Sequence, residues 1–199
     1  MVCANGGQAA AVPGTWSASL EWLVDRLAPR FPGLLFAEVR YRVKSWQRLD
    51  WCEEDVRAAV AGTGAARTLL LGFSMGGAVA VLCADAPGVD AVLGLAPWLP
   101  DRLRLDRLRG RRLDVLHGAL DRPLPGVPGV SPASSRLGFE RARAMGVDGS
   151  HTVVRGALHG IAVRTPLGLL PLPRASRWAR LAGERIAAWV GPPVEAGAP

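Results

Sequence analysis

The apolar run Thr68-Leu69-Leu70-Leu71-Gly72-Phe73 passes without a spacer into Ser74-Met75-Gly76-Gly77 and then into small apolar residues as far as Ala84. No other stretch constrains the fold as strongly. A fully apolar run of strand length belongs at the buried centre of a parallel sheet. Met75 to Ala84 is apolar almost all round, as a helix buried against such a sheet must be. The turn between them is so tight that Gly72 and Gly76 are needed to avoid collisions, and Gly77 lets helix and strand approach closely. A strand, a sharp turn and a buried helix in this order imply an α/β architecture.

The flanking segments extend this pattern. Met1 to Ala4, Leu34 to Tyr41, Ala91 to Ala96, Leu113 to His117 and His151 to Arg155 are predicted strands. Trp16 to Leu27 is a predicted helix, with Trp16, Leu20, Leu23 and Leu27 at spacings of three and four; Thr15 or Ser17 is placed to cap it, and Pro29 and Pro32 end it. Glu53 to Ala61, Ser134 to Met145 and Arg174 to Val190 are further helices. The prediction is a three-layer α/β/α sandwich around a mostly parallel sheet of about six strands, with no lid. Residues 1–190 form one domain and 191–199 a frayed tail.

Composition narrows the class. The chain has 199 residues, 49% hydrophobic and 21% charged, enough for a sizeable core. No apolar run approaches the ~18 residues of a membrane span. Residues 1–7 lack the basic and apolar regions of a secretory signal. Three unclustered cysteines, Cys3, Cys52 and Cys83, argue against a disulfide framework or a cysteine metal site and fit a reducing cytoplasm. The net charge is +7, but the arginines are scattered and no nucleic-acid motif accompanies them, so nucleic acid is not an expected partner. The one dense cluster is Arg102, Arg104, Arg107, Arg109, Arg111 and Arg112. It is either a solvated face or an attractor of anionic substrates.

The chemistry centres on Gly72-Phe73-Ser74-Met75-Gly76, a G-x-S-x-G pattern at a strand-to-helix junction. There a serine Oγ projects above the sheet and the helix N-terminus offers free N–H groups; the plain alternative is a glycine-rich turn with a capping serine. Residues 68–77 resemble the nucleophile elbow of the α/β-hydrolase family, in the style of its small lidless carboxylesterases, lysophospholipase/thioesterase types and dienelactone-hydrolase-like members. The resemblance runs from Asn5 to about Val190. It implies a triad in the order nucleophile, acid, histidine. Leu113 to Pro123 resembles the family's strand-H-G-x-x-D segment, with Asp121 at the acid position and Asp101 as runner-up. Val153 to Gly160 resembles its terminal strand and histidine loop, with His159 as general base. His117 then braces the loop presenting Asp121, and His151 opens its strand at the far end. The oxyanion donors implied are the N–H groups of Met75 and Gly7, with Gln8 as the alternative to Gly7. The family usually carries His-Gly at the first loop, where this chain has Asn5-Gly6. The chain also opens directly at this strand, so either it is a minimal member without the family's first two strands or the true start lies upstream.

The resemblance implies a serine hydrolase of carboxylic esters or thioesters, acting through Ser74, His159 and Asp121 without metal or other cofactor. Trp98 and Leu99, after the strand that follows the elbow helix, are candidate acyl-pocket residues; Trp46 and Trp51 are placed to reach the rim. The competing expectation is a non-catalytic binding protein on the same fold. The expected partner is a small ester or thioester, and no membrane insertion is expected.

Overall fold

A computed structural model describes residues 1–123 and 129–191. From residue 192 onward, the expected tail lies outside the described residues. In chain order the elements are β1 (Val2–Ala4), β2 (Val12–Pro13), α1 (Ala18–Leu27), β3 (Ala37–Val39), β4 (Val43–Lys44), α2 (Leu49–Thr63), β5 (Thr68–Phe73), α3 (Met75–Leu82), β6 (Val89–Leu95), β7 (Arg112–Gly118), α4 (Pro132–Ala144), β8 (Asp148–Val154), β9 (Ala162–Thr165), β10 (Gly168–Pro171) and α5 (Ala175–Val190).

Six strands form one parallel sheet in the order β3-β1-β5-β6-β7-β8. Strand side chains alternate between two cores. Val2, Ala4, Leu70, Val92 and Val115 face a layer made by α2, α3 and α4, through residues such as Val56, Val79 and Phe139. Met1, Cys3, Leu69, Leu71 and Leu93 face the opposite layer, where α1 supplies Leu20, Leu23 and Leu27 and α5 supplies Trp178 and Ile186. The predicted three-layer sandwich is therefore the observed one, and no lid is present among the described residues.

Local chemistry sets the boundaries. Ser17 caps α1, its side chain accepting from Leu20 N–H. The second helix starts earlier than predicted, at Leu49, and ends at Gly64, whose φ of 59° suits a left-handed cap. Leu34 to Tyr41 yields strand only at Ala37–Val39, the three residues that pair with β1. His151 does not open its strand: β8 begins at Asp148, and His151 sits mid-strand opposite Val115. The β9–β10 hairpin has no strand signal in the sequence. Its short strands join through Pro166 and Leu167 in a Leu/Pro-rich stretch that reads as loop.

This topology fixes where a site can form. The connections leaving β1 run to β3 on one side, while β5 lies on the other, so the strand order reverses between β1 and β5. The loops beyond the carboxyl ends of those strands, Asn5–Gly7 and the Ser74 turn, flank the crevice that such a reversal opens. The segment between β6 and β7 is no flap over it. Leu103, Leu105 and Leu108 are buried and tie it to the core.

Candidate active site

Ser74 stands at the β5–α3 junction with φ 55° and ψ −119°, a conformation that side-chain-bearing residues rarely adopt. Its backbone is pinned from three directions. Its N–H donates to Leu95 O, and its carbonyl accepts from Gly77 and Trp98 N–H, each at 2.9 Å. Its side chain caps nothing, which removes the capping-serine reading. The turn is possible because a Cβ on Gly76 would lie 2.1 Å from Ala4 O, a space only glycine leaves open.

The loop after β1 lies against this turn. A Cβ on Gly6 would be 3.4 Å from Ser74 Cβ, and one on Gly7 would be 2.1 Å from Met75 Sδ. Asn5 braces the loop itself. Its Nδ2 donates to Thr15 O at 2.8 Å, its Oδ1 accepts from Gly6 N–H at 2.6 Å, and its carbonyl accepts from the Tyr41 hydroxyl at 3.2 Å. The Gly7 and Met75 N–H groups donate to no partner among the described residues. Two unsatisfied donors beside a raised serine suit a developing oxyanion.

Asp121 and His159 come together although 38 residues apart. His159 Nδ1 lies 2.6 Å from Asp121 Oδ2. Their loops are laced by backbone bonds from Ala119 N–H to Val154 O and from Leu120 N–H to Ala157 O. His117, fully buried, places Nε2 2.9 Å from Asp121 Oδ2 and 2.8 Å from Val130 O. Both neighbours are acceptors, so the proton belongs on Nε2. Val130 N–H completes the clamp on Asp121 Oδ1 at 3.1 Å. Burial alone would raise the Asp121 carboxyl, but the hydrogen bonds and charges of His117 and His159 outweigh it and hold the group below the usual carboxylate range.

Two cavities border the serine turn. One, of about 180 Å³, is lined by Trp46, Ser74, Met75, Trp98, Gly129 and Val130. The other, of about 430 Å³, is bordered by Phe73, His159, Leu158 and residues of the β9–β10 hairpin. The Phe73 ring sits 5.2 Å from that of His159.

Several candidates fall elsewhere. Leu99 does not reach either cavity: it is 1% exposed and packs on α4, where a Cβ on Gly138 would meet Leu99 Cβ at 2.4 Å. Trp51 lies under the Arg48 guanidinium instead of at the rim. Asp101 points into solvent beside Arg141, away from His159. A second serine–histidine pair, buried Ser135 Oγ and half-buried His151 Nε2 at 3.0 Å, joins α4 to β8. His151 Nδ1 has no partner, so no carboxylate orients that ring. Burial, then the charges of Arg136 and His117, pushes His151 down to about 4. The arginine cluster is largely committed within the fold: Arg104 pairs with Asp106, Arg107 with Asp85, and Arg112 with Asp114, while Arg111 donates to Ala84 O.

Val130 and Ser19 also support the site. Ser19 Oγ accepts from Ile161 N–H at 2.9 Å and so pins the backbone just beyond His159. Neither carries a local signature, because each acts on a residue distant from it in the chain. Among the described residues no group of three or more His, Cys, Asp or Glu is placed to hold a metal ion, and no helix is long and apolar enough to cross a membrane.

No protein-family model matches the chain. No curated protein matches it either. Solved structures do. An uncharacterized protein from Bacillus cereus aligns with TM-score 0.65 and 15% identity over 93% of this chain and 59% of that one, so the chain spans about three-fifths of that protein's length. A monoacylglycerol lipase from Paleococcus ferrophilus aligns with TM-score 0.59 and 13% identity over 93% of this chain and 92% of that one. A dienelactone hydrolase from Anabaena variabilis aligns with TM-score 0.59 and 15% identity over 92% and 82%.

Proposed function

We propose that this chain, which has the α/β-hydrolase fold, is a serine hydrolase of carboxylic esters or thioesters. The observation that carries the reading is the 2.6 Å contact of His159 Nδ1 with a buried Asp121 carboxylate, in a chain that also holds Ser74 in a strained turn. A carboxylate behind Nδ1 fixes the tautomer that leaves Nε2 basic.

In this mechanism Ser74 Oγ attacks the substrate carbonyl carbon as His159 Nε2 takes its proton. The Gly7 and Met75 N–H groups receive the tetrahedral oxyanion. Asp121 stabilises the imidazolium, which then protonates the leaving alcohol or thiol. Water, deprotonated by the same imidazole, releases the acid and regenerates Ser74. The reaction fits a small-molecule substrate and a cytoplasmic setting.

Labelling with a fluorophosphonate tests the proposal. Wild-type protein is expected to react at Ser74, and His159→Ala is expected not to. Intact protein that leaves Ser74 unlabelled would make this a binding protein on a hydrolase fold.

A further inference from the structure

The two cavities at the serine turn differ in what they contain, and the difference assigns direction to a bound ester. The 180 Å³ cavity holds Ser74 and Met75, the nucleophile and one oxyanion donor, but not His159. The 430 Å³ cavity holds His159 but neither of those residues. The leaving group must be protonated by the imidazole, so it departs on the histidine side. The acyl group, joined to Ser74 Oγ through the acyl-enzyme, then extends the other way.

That acyl side is small and walled. Its volume lies below the ~300–1,000 Å³ usual for pockets that hold drug-sized ligands. Trp98 is fixed from its own backbone, since its N–H is bonded to Ser74 O. Trp46 is held through its N–H to Gln8 O, on the same loop that carries Gly7. The backbone that carries each indole is thus tied to the nucleophile or to the loop of an oxyanion donor.

The leaving-group side is larger and runs onto the β9–β10 hairpin. Val163 lines the cavity and pairs across the hairpin with Leu170. Both are exposed, and Leu167 at the tip is 100% exposed. The apolar face thus continues outward from the histidine, where an extended apolar alcohol or thiol would lie.

We infer that the substrate is an ester or thioester of a short acyl group and a larger apolar alcohol or thiol, with Trp46 and Trp98 setting the acyl limit. This rests on the serine hydrolase reading above. The test uses the full chain and two substrate series. One is p-nitrophenyl esters from acetate to decanoate; the other is acetate esters of alcohols from methyl to octyl. Wild type is expected to favour acetate to butyrate and to lose at least about tenfold in kcat/KM by octanoate, within what a few misplaced methylenes can cost. Along the alcohol series kcat/KM is expected to hold or rise. Trp98→Ala is expected to move the acyl optimum to longer chains without altering the alcohol profile, and Trp46→Ala provides the same readout should the first variant fail to fold. A flat or rising acyl profile in wild type overturns the inference, as does an equal loss on every ester in the tryptophan variants. Ser74 that labels with a fluorophosphonate while no short-acyl ester turns over also overturns it. Absence of labelling overturns the underlying reading and this inference together.

Discussion

His117 and His159 converge on one atom, Oδ2 of Asp121, at 2.9 and 2.6 Å. One ring is fully buried and the other lies at a cavity wall, so a single carboxylate oxygen links the interior to the reacting face. The buried histidine positions the carboxylate, and the carboxylate orients the base.

Asp121→Asn is expected to lower kcat by about 10³–10⁴, because an amide can present its N–H₂ to His159 and favour the wrong tautomer. His117→Gln should lower kcat more mildly with KM little changed. The same substitutions alter acid stability. The folded-state pKa of Asp121 is depressed, so its contribution is present above the unfolded value of ~3.9 and is lost as pH falls through the folded value. Urea titrations below pH 4 should show a flatter pH dependence for Asp121→Asn than for wild type.

Ser74 carries backbone strain as well as a nucleophile. Ser74→Ala should abolish ester turnover and shift stability by less than about 0.5 kcal/mol, since the strained backbone remains. Ser74→Gly should be equally inactive yet more stable, by about 1 kcal/mol after the greater freedom of its unfolded chain is subtracted. Thermal unfolding should register that gain as about 2–4 °C.

Two glycines of the site should respond differently to alanine. At Gly76 the added methyl would meet the Ala4 and Asn5 carbonyls at 2.1 and 2.5 Å, and backbone cannot yield. Gly76→Ala should therefore destabilise the fold by about 3 kcal/mol. At Gly7 the obstacle is the flexible Met75 side chain. Gly7→Ala should stay folded by circular dichroism but lose about 10²-fold in kcat as the loop N–H moves off the oxyanion.

His151 predicts a second acid-sensitive window. Its pKa is pushed down to about 4 in the fold, against ~6.5 when unfolded. Between those values the unfolded chain binds the extra proton, so stability falls as pH drops from about 6.5 to 4, by about 3 kcal/mol in all. His151→Gln should flatten that limb in chemical denaturation measured across the same range.

Much of this molecule is legible in its sequence where the signal is local. β5 and the start of α3 follow directly from Leu69, Leu70, Leu71 and Phe73 and from the three glycines around Ser74. Asp121 and His159 are legible through the family resemblance of the segments 113–123 and 153–160. The failures share a different cause. Leu99 looks like a pocket residue until α4 covers it, and only tertiary packing places that predicted helix there. Val130 clamps Asp121 from nine positions along the chain, and Ser19 pins Ile161 from 142; no periodicity records such contacts. The β9–β10 hairpin leaves little trace because its strands are four residues each and the second, Gly168–Pro171, reads as a Leu/Pro-rich loop.

The base and the nucleophile hang from strands of unequal security. Ser74 follows β5, which has neighbours on both sides, whereas His159 follows β8, the outermost strand beyond β7. A border strand lets go first when a sheet begins to fray. Catalysis should therefore fail on warming while most of the interior is still intact, so that turnover serves as an early gauge of damage at the C-terminal margin and not of global melting.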